Sequence, residues 1–173
     1  MLYKNPSRQL TTAHNGFTLI ELLVVISIAA LLMTIAVPNL KQMIGHQRVK
    51  AAANDFKSAV ALGRSQAIKR RTTVSIRKIG ETSGPFSKMS NGWHAFYKNG
   101  STPISFFTHA LELHNINLTG NARQGIVFAE KTGGVNTGTV RTVCFAHSDN
   151  NIPVYKVTVN KMGTAVVTKL ASC

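Results

Sequence analysis

From Phe17 to Val37 the chain carries one ionisable side chain, Glu21, and this apolar run closes at Pro38. A run of about 21 such residues is long enough for a helix to cross a bilayer. Whatever else this chain folds into must therefore hang from a membrane-length helix. A secretory signal would have a shorter apolar core followed by a small-residue cleavage site. Here the polar stretch, with Lys4 and Arg8, stops at Gly16, before the apolar part begins. Cleavage at that point would leave the helix on the mature chain.

The junction reads His14, Asn15, Gly16, Phe17, Thr18, Leu19, Ile20, Glu21. Glycine, phenylalanine, threonine, leucine, isoleucine and glutamate in this order resemble the prepilin leader of type IV pilins and type II secretion pseudopilins. The resemblance implies cutting after Gly16 by a prepilin peptidase, N-methylation of Phe17, and packing of the apolar helices into a filament core. It also implies that the leader faces the cytoplasm and the rest of the chain lies outside the inner membrane. The positive-inside rule alone does not choose, since Lys4 and Arg8 on one side are matched by Lys41, Arg48 and Lys50 on the other.

Glu21 needs a physical account. A charged side chain at membrane depth costs roughly 2.5 to 3.5 kcal/mol on insertion scales and is rarely there without a partner. Cutting after Gly16 creates an amine on Phe17, four residues before Glu21, about one helical turn away on the same face. That amine can neutralise Glu21 within one subunit. In a filament the amine of an incoming subunit can pair with a neighbour's carboxylate, making the charge a register device.

At 173 residues the chain has room for one domain of about 100 to 130 residues beyond the membrane helix. Its 20 basic and 6 acidic residues give a formal charge of +14; without Lys4 and Arg8 the balance is 18 against 6, or +12. Such an excess favours anionic partners, whether nucleic acid, phospholipid head groups or acidic protein faces, and equally suits a generally basic soluble head. The two cysteines, Cys144 and Cys173, fall in an oxidising compartment if the head is periplasmic. A bridge between them would close a loop of about 30 residues, worth roughly 3.6 kcal/mol on the chain-entropy model. Two unpaired thiols are the alternative, and the spacing supports neither a zinc site nor a CxxC redox motif.

After Pro38 the pattern turns amphipathic. Val49, Ala52, Phe56, Ala59, Val60, Gly63 and Ala67 recur at steps of three and four, a helical stripe. Its small members let a helix lie close against a sheet, while Lys50, Asn54, Lys57, Ser58 and Arg64 take other faces. A helix from Phe17 to about Arg70 would have roughly 54 residues and a length of about 80 Å. Pro38 and Gly45 are the expected points of bending or local melting.

From Thr72 onward the period becomes two and turn residues become frequent. Expected strands are Thr72 to Ile79, Trp93 to Tyr97, Ile104 to Phe107, Leu111 to Leu118, Gly125 to Phe128, Val140 to Phe145, Val154 to Val159 and Thr164 to Leu170. Gly80 to Gly92 reads as a loop, and Lys131 to Gly138, with its glycines, as a tight turn or hairpin. One long helix followed by an antiparallel β domain resembles the GspH/FimT branch of minor pilins and pseudopilins. Its marks here are the small-residue helix with Arg64, Gly125 to Phe128 ahead of a glycine-rich turn, Cys144 with Phe145, and a late strand ending at Gly163. Members of this branch often have an arginine-rich stretch after the last glycine, and some are thought to bind DNA through it. This chain reads Gly163, Thr164, Ala165, Val166 instead, so that carry-over fails at Thr164 and Val166.

Catalysis finds little support. Asp55, Glu81, Glu112, Glu130 and Asp149 are scattered, with no spacing that suggests a general acid and base pair. His109 and His114 flank Glu112, but on a strand they would face opposite ways and read as ordinary surface histidines. No phosphate loop, nucleophile elbow or HExxH is present, and no metal or cofactor is expected. DNA is the sharper alternative, because a strongly basic head gains from releasing counterions. The candidate contacts are Lys69, Arg70 and Arg71, with Arg64 behind and Arg77 and Lys78 ahead, and a second set of Lys156, Lys161 and Lys169 around the last strands, where relatives place their arginines. Cations near a helix C-terminus also complement the helix dipole, at about 0.3 to 1 kcal/mol each. Any DNA binding would be to the backbone, without sequence readout.

The expectation is an α+β, pilin-like fold: a leader over 1–16, a transmembrane helix over 17–37, its amphipathic continuation over 38–71, and a β-rich head over 72–173. The resemblance implies a minor pilin or pseudopilin at or near the tip of a type IV pilus or type II secretion pseudopilus. Its partners would be other pilins, the inner membrane, prepilin peptidase, and DNA or secreted proteins. A membrane-anchored periplasmic enzyme is the remote alternative.

Overall fold

The computed structural model describes residues 16–81, 92–111, 116–120, 125–136, 139–149 and 151–172. The first element, α1, spans Leu19–Arg70 with Pro38 in its interior. It starts two residues later than Phe17 because Thr18 is its cap: the Thr18 Oγ1 accepts the backbone N–H of Glu21 at 3.2 Å, satisfying one of the donors a helix start leaves open. Thr18 and Glu21 have the spacing of a capping box, a start signal that is readable in the sequence and that apolar periodicity does not carry. At the other end Arg71 takes a left-handed φ of 50°, and the amides of Arg71 and Thr72 turn back to the carbonyls of Ile68 and Ala67 at 3.3 Å. That closure satisfies the last turn.

The chain divides into two compact units, Met1–Asn39 and Leu40–Cys173. Among the described residues of the first, everything from Leu19 is helix, and its large apolar side chains stand exposed. In the second unit one face of α1 is buried: Gly45, Val49, Ala52, Ala53, Phe56, Ala59, Val60, Gly63 and Ala67. These include every member of the expected stripe. Gly45, expected as a point of loosening, is instead a contact, since a Cβ there would run into Cδ1 of Ile152.

The strands among the described residues form two antiparallel sheets. β1 (Val74–Lys78), β2 (Gly92–Asn99), β3 (Thr102–Ala110) and β5 (Ile126–Phe128) make one, in the order β3-β2-β1-β5. β4 (Ile116–Gly120), β6 (Arg141–His147), β7 (Val154–Val159) and β8 (Ala165–Leu170) make the other, in the order β4-β6-β7-β8. The expected strand Leu111 to Leu118 does not exist as drawn. β3 runs on to Ala110 in the first sheet, and β4 starts at Ile116 in the second. Leu111, Ile116 and Leu118 are all buried; Leu111 and Ile116 are five apart and on one strand would face opposite ways, so both reach the core because the chain changes sheet between them. β3 also extends beyond Ile104 to Phe107, taking in Pro103, which an edge strand tolerates because its outer N–H groups need no partner in the sheet. Gly80 and Glu81 turn out of β1 as expected, while residues 82–91 of that loop lie outside the described residues. In the glycine-rich stretch, Gly133 N–H donates to Ala129 O at 2.9 Å and Ala129 N–H to Gly134 O at 2.8 Å, a tight turn.

A single apolar cluster joins α1 to both sheets. Phe56 stands at its centre. It meets Trp93 of β2 edge-on and Phe145 of β6 at a tilt, with centroids 5.2 Å and 5.7 Å away. Burying a phenylalanine this fully stabilises by roughly 1.5 to 3 kcal/mol. The architecture is α+β: one long helix, apolar at its N-terminal end, with a β-rich part of two antiparallel sheets.

Candidate functional site

Two regions can carry function: the apolar start of α1 and a basic groove on the β-rich unit. Along the first, Phe17, Leu19 and Ile20 are 84%, 83% and 68% exposed. The helix is long and apolar enough to cross a membrane by length and composition. Its polar side chains are satisfied within the helix: Ser27 Oγ donates to Leu23 O at 2.8 Å and Thr34 Oγ1 to Leu31 O at 2.7 Å. That is what lipid demands, since a hydroxyl with no acceptor there costs several kcal/mol. Glu21 lies in the first turn of α1 and is exposed, where a carboxylate also complements the positive end of the helix dipole. Gly16 and Phe17 precede the helix. Thr18, the cap, stands between them and the helix.

The basic residues named from sequence do not form one surface. Arg70 is occupied locally: its Nε donates to Gln66 Oε1 at 2.9 Å, its Nη1 to Tyr97 Oη at 3.2 Å, and its Cζ lies 4.7 Å from the Tyr97 ring centroid. Arg71 closes the helix. Lys78 pairs with Glu81 at 3.4 Å. Arg77 is half-buried, and burial pushes its guanidinium below the usual value while the Glu81 charge opposes that shift. In the second set, Lys156 pairs across with Thr168, on the opposite face from Tyr155, Val157 and Val159. Lys169 pairs with Tyr155 and so belongs to the other face. Lys161 sits in the β7–β8 turn.

What the structure does bring together is different. Lys57, Arg64 and Lys69 of α1 line a groove of about 510 Å³ with Gly163, Thr164 and Ala165 at the entry to β8. Arg64 Nη1 donates to Thr164 Oγ1 at 3.4 Å. Thr164, where the family's arginine stretch is missing, is thus a neighbour of a basic residue supplied by the helix. Ala61 and Ile68 complete the apolar walls.

His109 is no ordinary surface residue. Its ring stacks on Trp93 with centroids 4.5 Å apart, and Nε2 is 3.8 Å from Asp55 Oδ2 on α1. Glu112 and His114 lie outside the described residues. Among the described residues no three His, Cys, Asp or Glu side chains gather as they would around a metal. Cys144 is buried in β6, and no free cysteine is found among the described residues. Cys173 lies outside them.

Comparison with known proteins bears on both regions. A family model described as type II transport protein GspH matches residues 52–163, and one described as the prokaryotic N-terminal methylation motif matches residues 12–37. No curated protein matches by sequence. Among solved structures, the type IV minor pilin FimU of Pseudomonas aeruginosa strain PAO1 is similar in two crystal forms. The P21 form has 15% identity and a TM-score of 0.59, over 73% of this chain and 96% of that one. The P65 form has 16% identity and a TM-score of 0.55, over 72% and 98%. At these identities the likeness is one of fold, and it is the pilin fold. The GspH match spans well over half of the sequence and the methylation motif adds the start of α1, so the chain belongs to the GspH family of minor pilins and pseudopilins.

Proposed function

We propose that this subunit is cut after Gly16, N-methylated on Phe17, and inserted at or near the tip of a type IV pilus or type II secretion pseudopilus. Before assembly it sits in the inner membrane as a single span with its β-rich head in the periplasm. The head contacts other minor subunits or secreted proteins. The observation that supports this reading best is the pairing of a bare apolar helix with one carboxylate. From Leu19 to Val37 the large apolar side chains are exposed and the only charge is Glu21. Lipid can cover the apolar surface, but Glu21 asks for a cation, and the amine released on Phe17 of a neighbouring subunit supplies one. Duplex DNA as a partner has less behind it, because Lys156 and Lys169 lie on opposite faces of their sheet and Arg70 is taken up by Gln66 and Tyr97.

Glu21→Val tests the assignment. The variant is expected to insert in the membrane and be processed normally, but to be recruited poorly into sheared filaments, as read by immunoblot. Incorporation equal to wild type would refute the proposed role of Glu21.

A further inference from the structure

We propose that the groove between α1 and the start of β8 is a docking site for an acidic, amphipathic segment of another protein, bound in extended conformation. The proposal deepens the reading of the head as a contact surface and rests on it. Three cations, Lys57, Arg64 and Lys69, line the groove, and among the described residues no carboxylate does. The rest of the lining includes Ala61, Ile68 and Ala165. Of these apolar lining groups Ile68 is 46% exposed and Ala61 also stands open to solvent. A partner that offered charge alone would leave these apolar groups in water. A phosphate backbone has nothing to cover them with, whereas a peptide alternating acidic and apolar side chains satisfies both.

The site is also preorganised. The stem of Arg64 lies against two backbones, since a Cβ on Gly133 would fall 2.9 Å from its Cγ and one on Gly163 would fall 3.3 Å from its Cδ. Its Nη1 reaches Thr164, and its buried Nε has no hydrogen-bond partner. An arginine held in place loses little freedom when it binds a carboxylate. From Lys57 to Lys69 the rise along the helix is about 18 Å, a distance spanned by about five or six residues of extended chain. Among the described residues β8 pairs only with β7 and forms the edge of its sheet. The main chain of an extended segment therefore has an edge to pair with.

The test uses the full chain in nanodiscs of zwitterionic lipid. The probe is a fluorescein-labelled peptide of about seven residues alternating glutamate with valine or leucine, followed by anisotropy. Saturable binding is expected, weakened about tenfold or more in the double variant Arg64→Glu, Lys69→Glu. Ala61→Trp, at an exposed position, should block the groove without altering charge and weaken binding comparably; it carries the test if charge reversal disturbs folding. Absence of saturable binding at low salt would overturn the proposal. So would equal binding of a glutamate–serine peptide, which would reduce the effect to charge, or tighter binding of duplex DNA lost in the same variants. Filament incorporation is scored separately, so loss of peptide binding with incorporation intact removes the docking site and leaves the assembly role standing.

Discussion

Phe56 of α1 meets Trp93 of β2 edge to face, the ring planes at 89° and the centroids 5.2 Å apart. Both rings are fully buried, and Phe56 also touches Phe145 of the other sheet, so one side chain ties three elements. Phe56→Ala should cost about 3 to 5 kcal/mol, the usual penalty for a phenylalanine cavity, measured by denaturant unfolding of the full chain. A loss under about 1 kcal/mol would mean that the helix and the two sheets do not share one core.

Two glycines on the buried face of α1 should respond differently to alanine. A Cβ on Gly63 would meet Phe128 Cε2 at 2.9 Å and Ile76 Cδ1 at 3.3 Å, both in fully buried side chains. Overpacking of about 1 to 3 kcal/mol then outweighs the helix-propensity gain of about 1 kcal/mol. Gly63→Ala is expected to destabilise. At Gly45 the obstacle is the flexible end of Ile152, so Gly45→Ala should fall close to neutral. Thermal unfolding of the two variants side by side decides it; equal losses would show that the Phe128 ring yields as easily as the end of Ile152.

Arg70 is a structural cation. Removing it by Arg70→Ala should lower stability by up to about 1 kcal/mol, the scale of an exposed cation–π contact. Lys69→Ala should change stability by less than about 0.5 kcal/mol, because Lys69 is exposed and gives the fold little beyond its small, solvent-screened complement to the helix dipole. A double-mutant cycle of Arg70→Ala with Tyr97→Leu measures the coupling directly. Additive losses would show that the two residues do not interact.

Cys144 is predicted to be bridged to Cys173. A reductant, or Cys173→Ser, should then lower stability by roughly 3.6 kcal/mol on the chain-entropy model. Thiol titration of the unfolded, unreduced chain checks the pairing; a reactive count of two thiols would disprove it.

Much of this was legible in the sequence, and the reason is local. Val49, Ala52, Phe56 and Gly63 recur with the helical period because each must face the same core, and Tyr155, Val157 and Val159 alternate for the same reason. The expected strand Val154 to Val159 matches β7 residue for residue. Where the reading failed, a local pattern was asked a non-local question. Leu111 to Leu118 reads as one strand from its apolar content, yet Leu111 and Ile116 are out of phase for a single strand and flank a passage from one sheet to the other. Lys156 and Lys169 look like neighbours in a basic set, yet the β7–β8 register puts them on opposite faces.

The membrane-length helix, the junction at Gly16 and Phe17, the stripe that packs and the antiparallel class of the head are all written locally in the chain. Each of these follows from periodicity, length or a short motif, properties that a stretch of chain has before it folds. That Arg64 meets Thr164, that Lys57 and Lys69 line the same groove, that His109 stacks on Trp93, and that Arg70 is taken up by Tyr97 came from the folded arrangement alone. Those relationships join residues far apart in sequence through the docking of α1 on two sheets. Charge and composition count the groups, whereas strand order and register decide which of them share a surface.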